Sequence, residues 1–420
     1  MSSYREISQC RICGNKQIEP VLNLGTQVLT GVFPKDLQQS VSEGPLELVK
    51  CVENSTTQAC GLLQLRYSFN PDEMYRQEYG YRSGLNQTMT QHLQSVVKRI
   101  CRFVTLLPGD IVLDIGSNDS TLLKSYPEKN LMLIGIDPSA EQFRQYYPED
   151  ARLVVDFFSA SAYRSVSGGK KAKVVTSIAM FYDLPSPWEF MQNIKEILAE
   201  DGVWVLEQSY MPTMLDQLAY DTVCHEHLEY YGLRQIQWMT QRTGLKIINV
   251  ELNEINGGSI QIVIAHEQSS YQLPNKVVST LLDREKSLGL TTLEPYYEFR
   301  EKVNRHRDEL IERVRDINSQ GQMILGYGAS TKGNVLLQFC GFTERDIPAI
   351  AERNSDKYGR FTPGTHIPII SEAEARSRRP DYFLVLPWHF REDFIQREKE
   401  FLDRGGKFLF PLPHIEEVGS

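Results

Sequence analysis

The sequence predicts an α/β protein of three units: a small cysteine-rich domain, an open parallel-sheet core closed by an antiparallel hairpin, and a second α/β domain at the C-terminus. Three observations predict it. Cys10, Cys13, Cys51 and Cys60 crowd the N-terminus. From 110 to 266 apolar runs alternate with amphipathic ones, the βαβ rhythm of a parallel sheet. A second strand, glycine loop and helix open at Met323. The 420 residues exceed one ordinary core, and the units are read as 1–68, 69–266 and 267–420.

Composition narrows the function classes. With 41% hydrophobic and 24% charged residues the chain is globular. A formal charge of -9 with no offsetting basic block argues against a nucleic-acid partner. No apolar run approaches the roughly eighteen residues that span a bilayer. The opening Met1-Ser-Ser-Tyr-Arg-Glu6 has no apolar h-region, so neither a secretory signal nor a membrane partner is expected. The seven cysteines read as metal ligands and thiols of a reducing cytoplasm, not as disulfides.

The elements follow in order. Cys10-Arg-Ile-Cys13-Gly14 is a knuckle, in which the close pair grips one side of a zinc ion and glycine relieves the crowding around sulfur. Cys51 and Cys60-Gly61 form a looser second pair, and a structural zinc on four thiolates competes with a plain buried thiol at either position. The domain is too small to make a sound core unaided, and Cys13→Ser is expected to cost solubility more than it changes chemistry at the distant base. Residues 69 to about 107 read as polar helix interrupted by Tyr79-Gly-Tyr81-Arg-Ser83-Gly84, either an N-cap or a lid over the next site.

Strands are expected at 110–115, 131–137, 152–155, 173–178 and 202–207. The first ends in Asp114-Ile-Gly116, where a missing side chain admits a ligand to the backbone, and the second ends in Asp137, a carboxylate for ribose hydroxyls. The loop lacks G-x-G-x-x-G and carries no Lys or Arg clamp, which favours S-adenosylmethionine over NAD. Its amino-acid end is expected near Gly116, its ribose on Asp137 and its adenine near Asp156-Phe157, with Asp114, Asn118, Pro138 and Ser83 around it. Runs 246–252 and 259–265, joined across Asn256-Gly257-Gly258, make a hairpin. That strand order is the one expected of a class I methyltransferase (Rossmann-like) core.

Residues 270 to about 320 read as charged helix, with Arg284 to Arg315 on a solvated face. Met323-Ile-Leu-Gly-Tyr-Gly328-Ala-Ser330-Thr-Lys332-Gly333 then opens the second, Rossmann-like unit, with further strands at 347–352, 382–386 and 405–410. Its loop either seats a phosphate on backbone N–H groups or is plain architecture.

Between the fifth strand and the next helix lies Asp221-Thr-Val-Cys224-His225-Glu226-His227-Leu-Glu-Tyr230-Tyr231. H-x-H does not put both imidazoles on one helix face, so a metal site is the poorer reading. A general base held beside a carboxylate is the better one.

Together these motifs resemble the three-domain sugar C-methyltransferases that act on nucleotide-linked deoxysugars in antibiotic and lipopolysaccharide pathways. The resemblance rests on the four cysteines with Gly61-Leu-Leu-Gln-Leu65, Tyr79-x-Tyr81-x-Ser83-Gly84, Ile115-Gly116-Ser-Asn-Asp119, His225-Glu226-His227, Asn256-Gly-Gly-Ser259, Gly326-Tyr-Gly328-Ala and Trp388-His389-Phe390. It implies 3-C-methylation of a 4-keto-6-deoxyhexose linked to dTDP, GDP or another nucleotide; separately, a monomer or weak homodimer is expected. By motif position His227 is the base, with Glu226 and His225 as orienting or sugar-binding partners. Tyr79, Tyr81, Tyr230, Ser330, Lys332, Asn354, Lys357, Trp388 and His389 are expected on the substrate. The chain departs from the family at Cys224, where a tyrosine is usual, at Ser120, where a glycine often closes the loop, and in the spacing of Cys51 and Cys60. Tyr182 is the candidate for supplying the missing hydroxyl. O-, N- or C5-methylation of a related sugar uses the same parts, and a non-catalytic sugar-nucleotide or zinc-ribbon interaction protein is the reading outside enzymes.

Overall fold

The computed structural model describes residues 4–52, 59–75, 81–272 and 276–419. The expected α/β architecture is present. The central sheet has seven strands, in the spatial order Leu245–Asn253, Ser259–His266, Leu198–Ser209, Ala172–Ile178, Ile111–Ile115, Met132–Ile136 and Arg152–Val154. All pair in parallel except Ser259–His266, which runs antiparallel to both its neighbours. Ile111–Ile115 lies between the strands that follow it on either side, so strand order reverses at its carboxyl end, where ligands settle in open α/β sheets.

The C-terminal sheet repeats that plan with six strands, Ile369–Ser371, Ile350–Glu352, Ile324–Tyr327, Tyr382–Val385, Lys407–Phe410 and the antiparallel Glu416–Gly419. Its own reversal falls after Ile324–Tyr327. Ile369–Ser371 and Glu416–Gly419 were not foreseen; each has only three or four residues, too few for a pattern of alternation to register.

At the N-terminus Ile18–Val28, Glu43–Cys51 and Leu63–Leu65 form an antiparallel sheet whose fourth strand is Glu229–Tyr230. The segment directly after His225-Glu226-His227 therefore belongs to the cysteine domain's sheet.

Two helices show how burial, not charge, sets position. Gln87–Phe103 is capped by Asn86, whose side chain accepts from the N–H groups of Thr88 and Met89, and it buries Leu93, Val96, Val97 and Ile100. Glu294–Ser319 carries charges outward, as expected, yet its other face buries Tyr296, Phe299, Val303, His306, Leu310, Val314 and Ile317. Helix Val277–Ser287 packs on Leu233–Thr243 and Leu245–Asn253 of the core, beyond the boundary read at 266/267. Among the described residues no helix is long and apolar enough to cross a membrane.

The domains are fastened by side chains. Gln338 bonds the Val28 carbonyl and accepts from the Val28 N–H at 3.1 and 2.8 Å, and Asn334 Nδ2 donates to the Thr30 carbonyl at 2.8 Å. Trp388 Nε1 donates to Asp221 Oδ2 at 2.8 Å, and His306 takes the Tyr220 hydroxyl on Nδ1 at 3.0 Å.

Candidate active site

Both strand-order reversals open onto one cavity of about 720 Å³, lined by Gly116–Asn118 and Asp137–Ser139 from the core and Ala329–Lys332 from the C-terminal domain. Gly31, Val32 and Phe33 of the cysteine domain supply another wall.

On the core side Gly116 has φ 71°, and a Cβ there would stand 3.2 Å from Met180 Cγ. Ser120, where glycine was noted as missing, holds the left-handed conformation itself, at φ 63°. Asp137 spends three acceptor positions on the protein: Oδ2 accepts from Asn118 N at 2.8 Å, and Oδ1 from Ser139 N and Oγ at 2.6 and 2.7 Å. It thus shapes the loop as well as lining the cavity. Asp114, bonded by the Thr176 hydroxyl at 2.6 Å, is pushed up to about 7 by burial.

Residues 81–84 are strapped over this loop. Ser83 N donates to Asn118 Oδ1 and Asn118 Nδ2 to the Tyr81 carbonyl, both at 3.0 Å, while Gly84 N donates to Asp119 Oδ2. A Cβ on Gly84 would lie 2.5 Å from Asp119 Oδ2, so the strap needs glycine. Asn86, not Ser83, caps the helix, and Tyr81 and Ser83 line the cavity. Tyr79 lies outside the described residues. Pro138 and Phe157 line the cavity; Asp156 does not, and its Oδ1 accepts from Phe157 N at 2.8 Å.

Across the cavity, His227 Nδ1 is 2.8 Å from the Thr222 carbonyl. A carbonyl only accepts, so Nδ1 carries the hydrogen and Nε2 keeps its lone pair. Tyr182 stacks edge-on against the ring at 4.4 Å between centroids, and burial pushes the imidazole down to about 4. Glu226 and Cys224 also line the cavity, and burial pushes both of them up. Glu226 fits against Gly31, where a Cβ would lie 2.8 Å from Oε1.

Five residues expected at the substrate lie elsewhere. His225 does not line the cavity: its Nε2 is 3.1 Å from the Gly44 carbonyl and its ring meets Phe69 edge-on at 4.7 Å, tying the loop to the cysteine domain. Tyr230 is buried, and its hydroxyl donates to the Thr222 carbonyl at 3.3 Å, the acceptor His227 uses. Trp388 serves the Asp221 latch. Asn354 caps its own turn by accepting from Asp356 N at 3.0 Å. His389 follows Trp388 and does not line the cavity either.

Ser330 caps helix Thr331–Cys340 by accepting from Gly333 N at 3.0 Å, leaving the helix start facing the cavity. Lys332 Nζ donates to the Asn256 carbonyl and Lys357 Nζ to the Ala329 carbonyl, each at 2.8 Å. Burial lowers both lysines, and Lys357 lies over the Phe33 ring at 4.5 Å. Two cations at a helix N-terminus suit a phosphate-bearing ligand.

Tyr75, Asp183 and the Gly31–Phe33 loop were not singled out in the sequence. They reach the cavity from separate elements, and nothing in their local spacing joins them.

The sulfurs of Cys10, Cys13, Cys51 and Cys60 all lie within 4.8 Å of one another. The 3.4 and 3.6 Å pairs compare with about 3.8 Å for a tetrahedral zinc with Zn–S of about 2.3 Å, so the thiols fit that ion and leave no position open. Gly14, at φ 68°, turns the knuckle, its N–H donating to the Cys10 carbonyl at 3.0 Å.

One expected result concerns His225 and His227, both held near 4 by burial against an ordinary 6.5. The neutral imidazoles stabilise the fold above pH 6.5, and that contribution is lost as pH falls from 6.5 through about 4. Histidine-selective NMR should find both rings neutral at pH 5.5; protonation of both by that pH would contradict the burial described.

Comparison with known proteins extends these observations. Three family models match consecutive stretches: a zinc binding domain over residues 10–75, a methyltransferase domain over 87–250 and a C-methyltransferase C-terminal domain over 254–413. The C-methyltransferase NovU of Streptomyces niveus is 29% identical over 419 residues, covering 99% of this chain and 98% of its own. Among solved structures, the magnesium protoporphyrin IX methyltransferase of Synechocystis PCC 6803 is 14% identical, with a TM-score of 0.32, over 42% of this chain and 79% of that one. The plantazolicin methyltransferase BamL is 11% identical, with a TM-score of 0.36, over 43% and 87%.

Proposed function

Because the chain belongs to the three-domain C-methyltransferases, we propose that it methylates C3 of a nucleotide-linked 4-keto-6-deoxyhexose. The enzyme is an S-adenosylmethionine-dependent methyltransferase, and its four-thiolate centre holds a structural zinc ion. The bound cofactor supplies an electrophilic methyl group. Gly116, Asn118, Asp137, Pro138, Phe157 and Ser83 would hold it, on a loop anchored by the buried Asp114.

The observation that carries the reading is the Nε2 of His227, without a hydrogen-bond partner among the described residues, in the cavity shared by the cofactor loop and the two lysines. A ketone at C4 acidifies the proton on C3. His227 Nε2 takes that proton: the C3–H bond breaks, an N–H bond forms, and the electron pair spreads onto the ketone oxygen, leaving C3 nucleophilic. The Thr222 carbonyl fixes the tautomer and stabilises the imidazolium that forms. Tyr182, against the His227 ring, stands in for the hydroxyl that Cys224 does not provide. Lys332, Lys357 and the helix start at Ser330 suit the diphosphate of a nucleotide sugar. The reducing cytoplasm, which keeps the thiolates available to zinc, suits the reaction.

The test is deuterium wash-in at C3 without cofactor. Wild-type protein in heavy water should exchange the C3 proton of a 4-keto-6-deoxy sugar nucleotide; no exchange across dTDP- and GDP-linked sugars would sink the reading. For the cofactor loop, Asp137→Ala removes three buried hydrogen bonds and should weaken S-adenosylmethionine binding by roughly tenfold or more in calorimetry. Unchanged affinity would remove Asp137 from the site.

A further inference from the structure

We propose that Asp183 is a second functional acid in this cavity, a neutral carboxyl that donates a hydrogen bond to the substrate oxygen on which negative charge gathers. This rests on the enolisation reading above.

Asp183 ends the short turn Phe181–Asp183, next to Tyr182, and lines the cavity. Its Oδ1 is buried and has no hydrogen-bond partner among the described residues. A buried carboxyl oxygen left unpaired costs free energy, and such a group calls for a ligand or a function. The Tyr75 phenol is the side chain that bonds the carboxyl. The charged groups acting on Asp183 are Glu226 and Glu229, both acidic. Glu229 has Arg11 at 3.6 Å, whereas Glu226 accepts from neutral donors such as the Thr30 hydroxyl, at 3.5 Å. Each half-buried carboxyl opposes ionisation of the other, and desolvation raises Asp183 well above the ordinary carboxylate range.

A neutral acid suits the chemistry. As His227 takes the C3 proton, charge moves along the new C3–C4 double bond onto the ketone oxygen. An ionised carboxylate beside that oxygen would repel it; an O–H group lowers the energy of the charged state and keeps its own proton. No atom is transferred from Asp183, so the step balances between substrate and His227. A preorganised donor of this kind, in a water-poor pocket, is among the largest contributions available to enolisation.

Two substitutions test it. Asp183→Asn keeps shape, neutrality and a donor; Asp183→Leu keeps approximate size and removes the donor. Wash-in at C3 without cofactor is the primary readout, with S-adenosylmethionine affinity by calorimetry as a control that a purely structural role would also move. The expected result is exchange within about tenfold of wild type for asparagine and a loss of roughly 100-fold to 1,000-fold for leucine, with affinity within about twofold in both. Asp183→Ala, also without a donor, answers the same question if the leucine variant does not fold. Asparagine as slow as leucine would mean that a carboxylate is required, and leucine as fast as wild type would mean that no donor is; either overturns the proposal. Absence of exchange in the wild type overturns the enolisation reading itself, and Asp183's role with it.

Discussion

Replacing His227 by asparagine is expected to lower methyl transfer by roughly two to four orders of magnitude, with S-adenosylmethionine affinity within about twofold of wild type. The imidazole has one nitrogen committed to the Thr222 carbonyl and the other unpaired among the described residues, and burial keeps it neutral, the form able to accept a proton. Asparagine approximates the ring's size and can still donate to that carbonyl, but its amide is no base. The competing account is that His227 only fills space beneath Tyr182. Wash-in separates the two, because a packing residue leaves exchange at C3 near the wild-type rate. Should the asparagine variant exchange at that rate, Tyr182 becomes the better candidate for the base. His225 does not, since it lies off the cavity against the Gly44 carbonyl and Phe69.

The second large effect is expected from the metal centre. Cys60→Ser, or zinc removal by a chelator, should lower the melting temperature and cut turnover by at least 100-fold. Small domains held by zinc lose their fold with the ion. From sequence, loss of a zinc ligand such as Cys13 is expected to cost solubility more than chemistry at a distant base. The structure revises this: Glu229–Tyr230, two residues past His227, is a strand of the zinc domain's own sheet, and the preceding loop puts Gly31 against Glu226. Unfolding that sheet frees the base from both sides. Elemental analysis should find one zinc per chain, and activity and melting temperature should fall together as zinc is withdrawn. Full activity in zinc-free protein would contradict the coupling.

Much of the scaffold was legible because its signals are local. Ile111–Ile115 and Met132–Ile136 are apolar strands that end in a positive-φ glycine and an acidic residue, and each feature is visible within a few positions. The Asn256-Gly257-Gly258 turn likewise announces the hairpin around it. The cavity was legible only in part, because it is assembled from distant segments. Asp183 and Tyr75 meet only after the chain has folded, and neither carries a motif. Trp388 belongs to a recognisable motif, yet whether its indole faces a ligand or Asp221 depends on how two domains dock. Ser120 shows the converse: sequence marked a missing glycine, and a serine holds the left-handed backbone all the same.

The most direct test of the central claim is the position of the transferred carbon. Wild-type protein, S-adenosylmethionine labelled with ¹³C in its methyl group and a panel of dTDP- and GDP-linked 4-keto-6-deoxyhexoses are combined, and the product is read by carbon–proton correlation NMR. A labelled methyl bonded to C3 is expected, correlated with C2 and the C4 carbonyl, and absent when His227 is replaced by asparagine. Label on an oxygen, on a nitrogen or on C5 would contradict it.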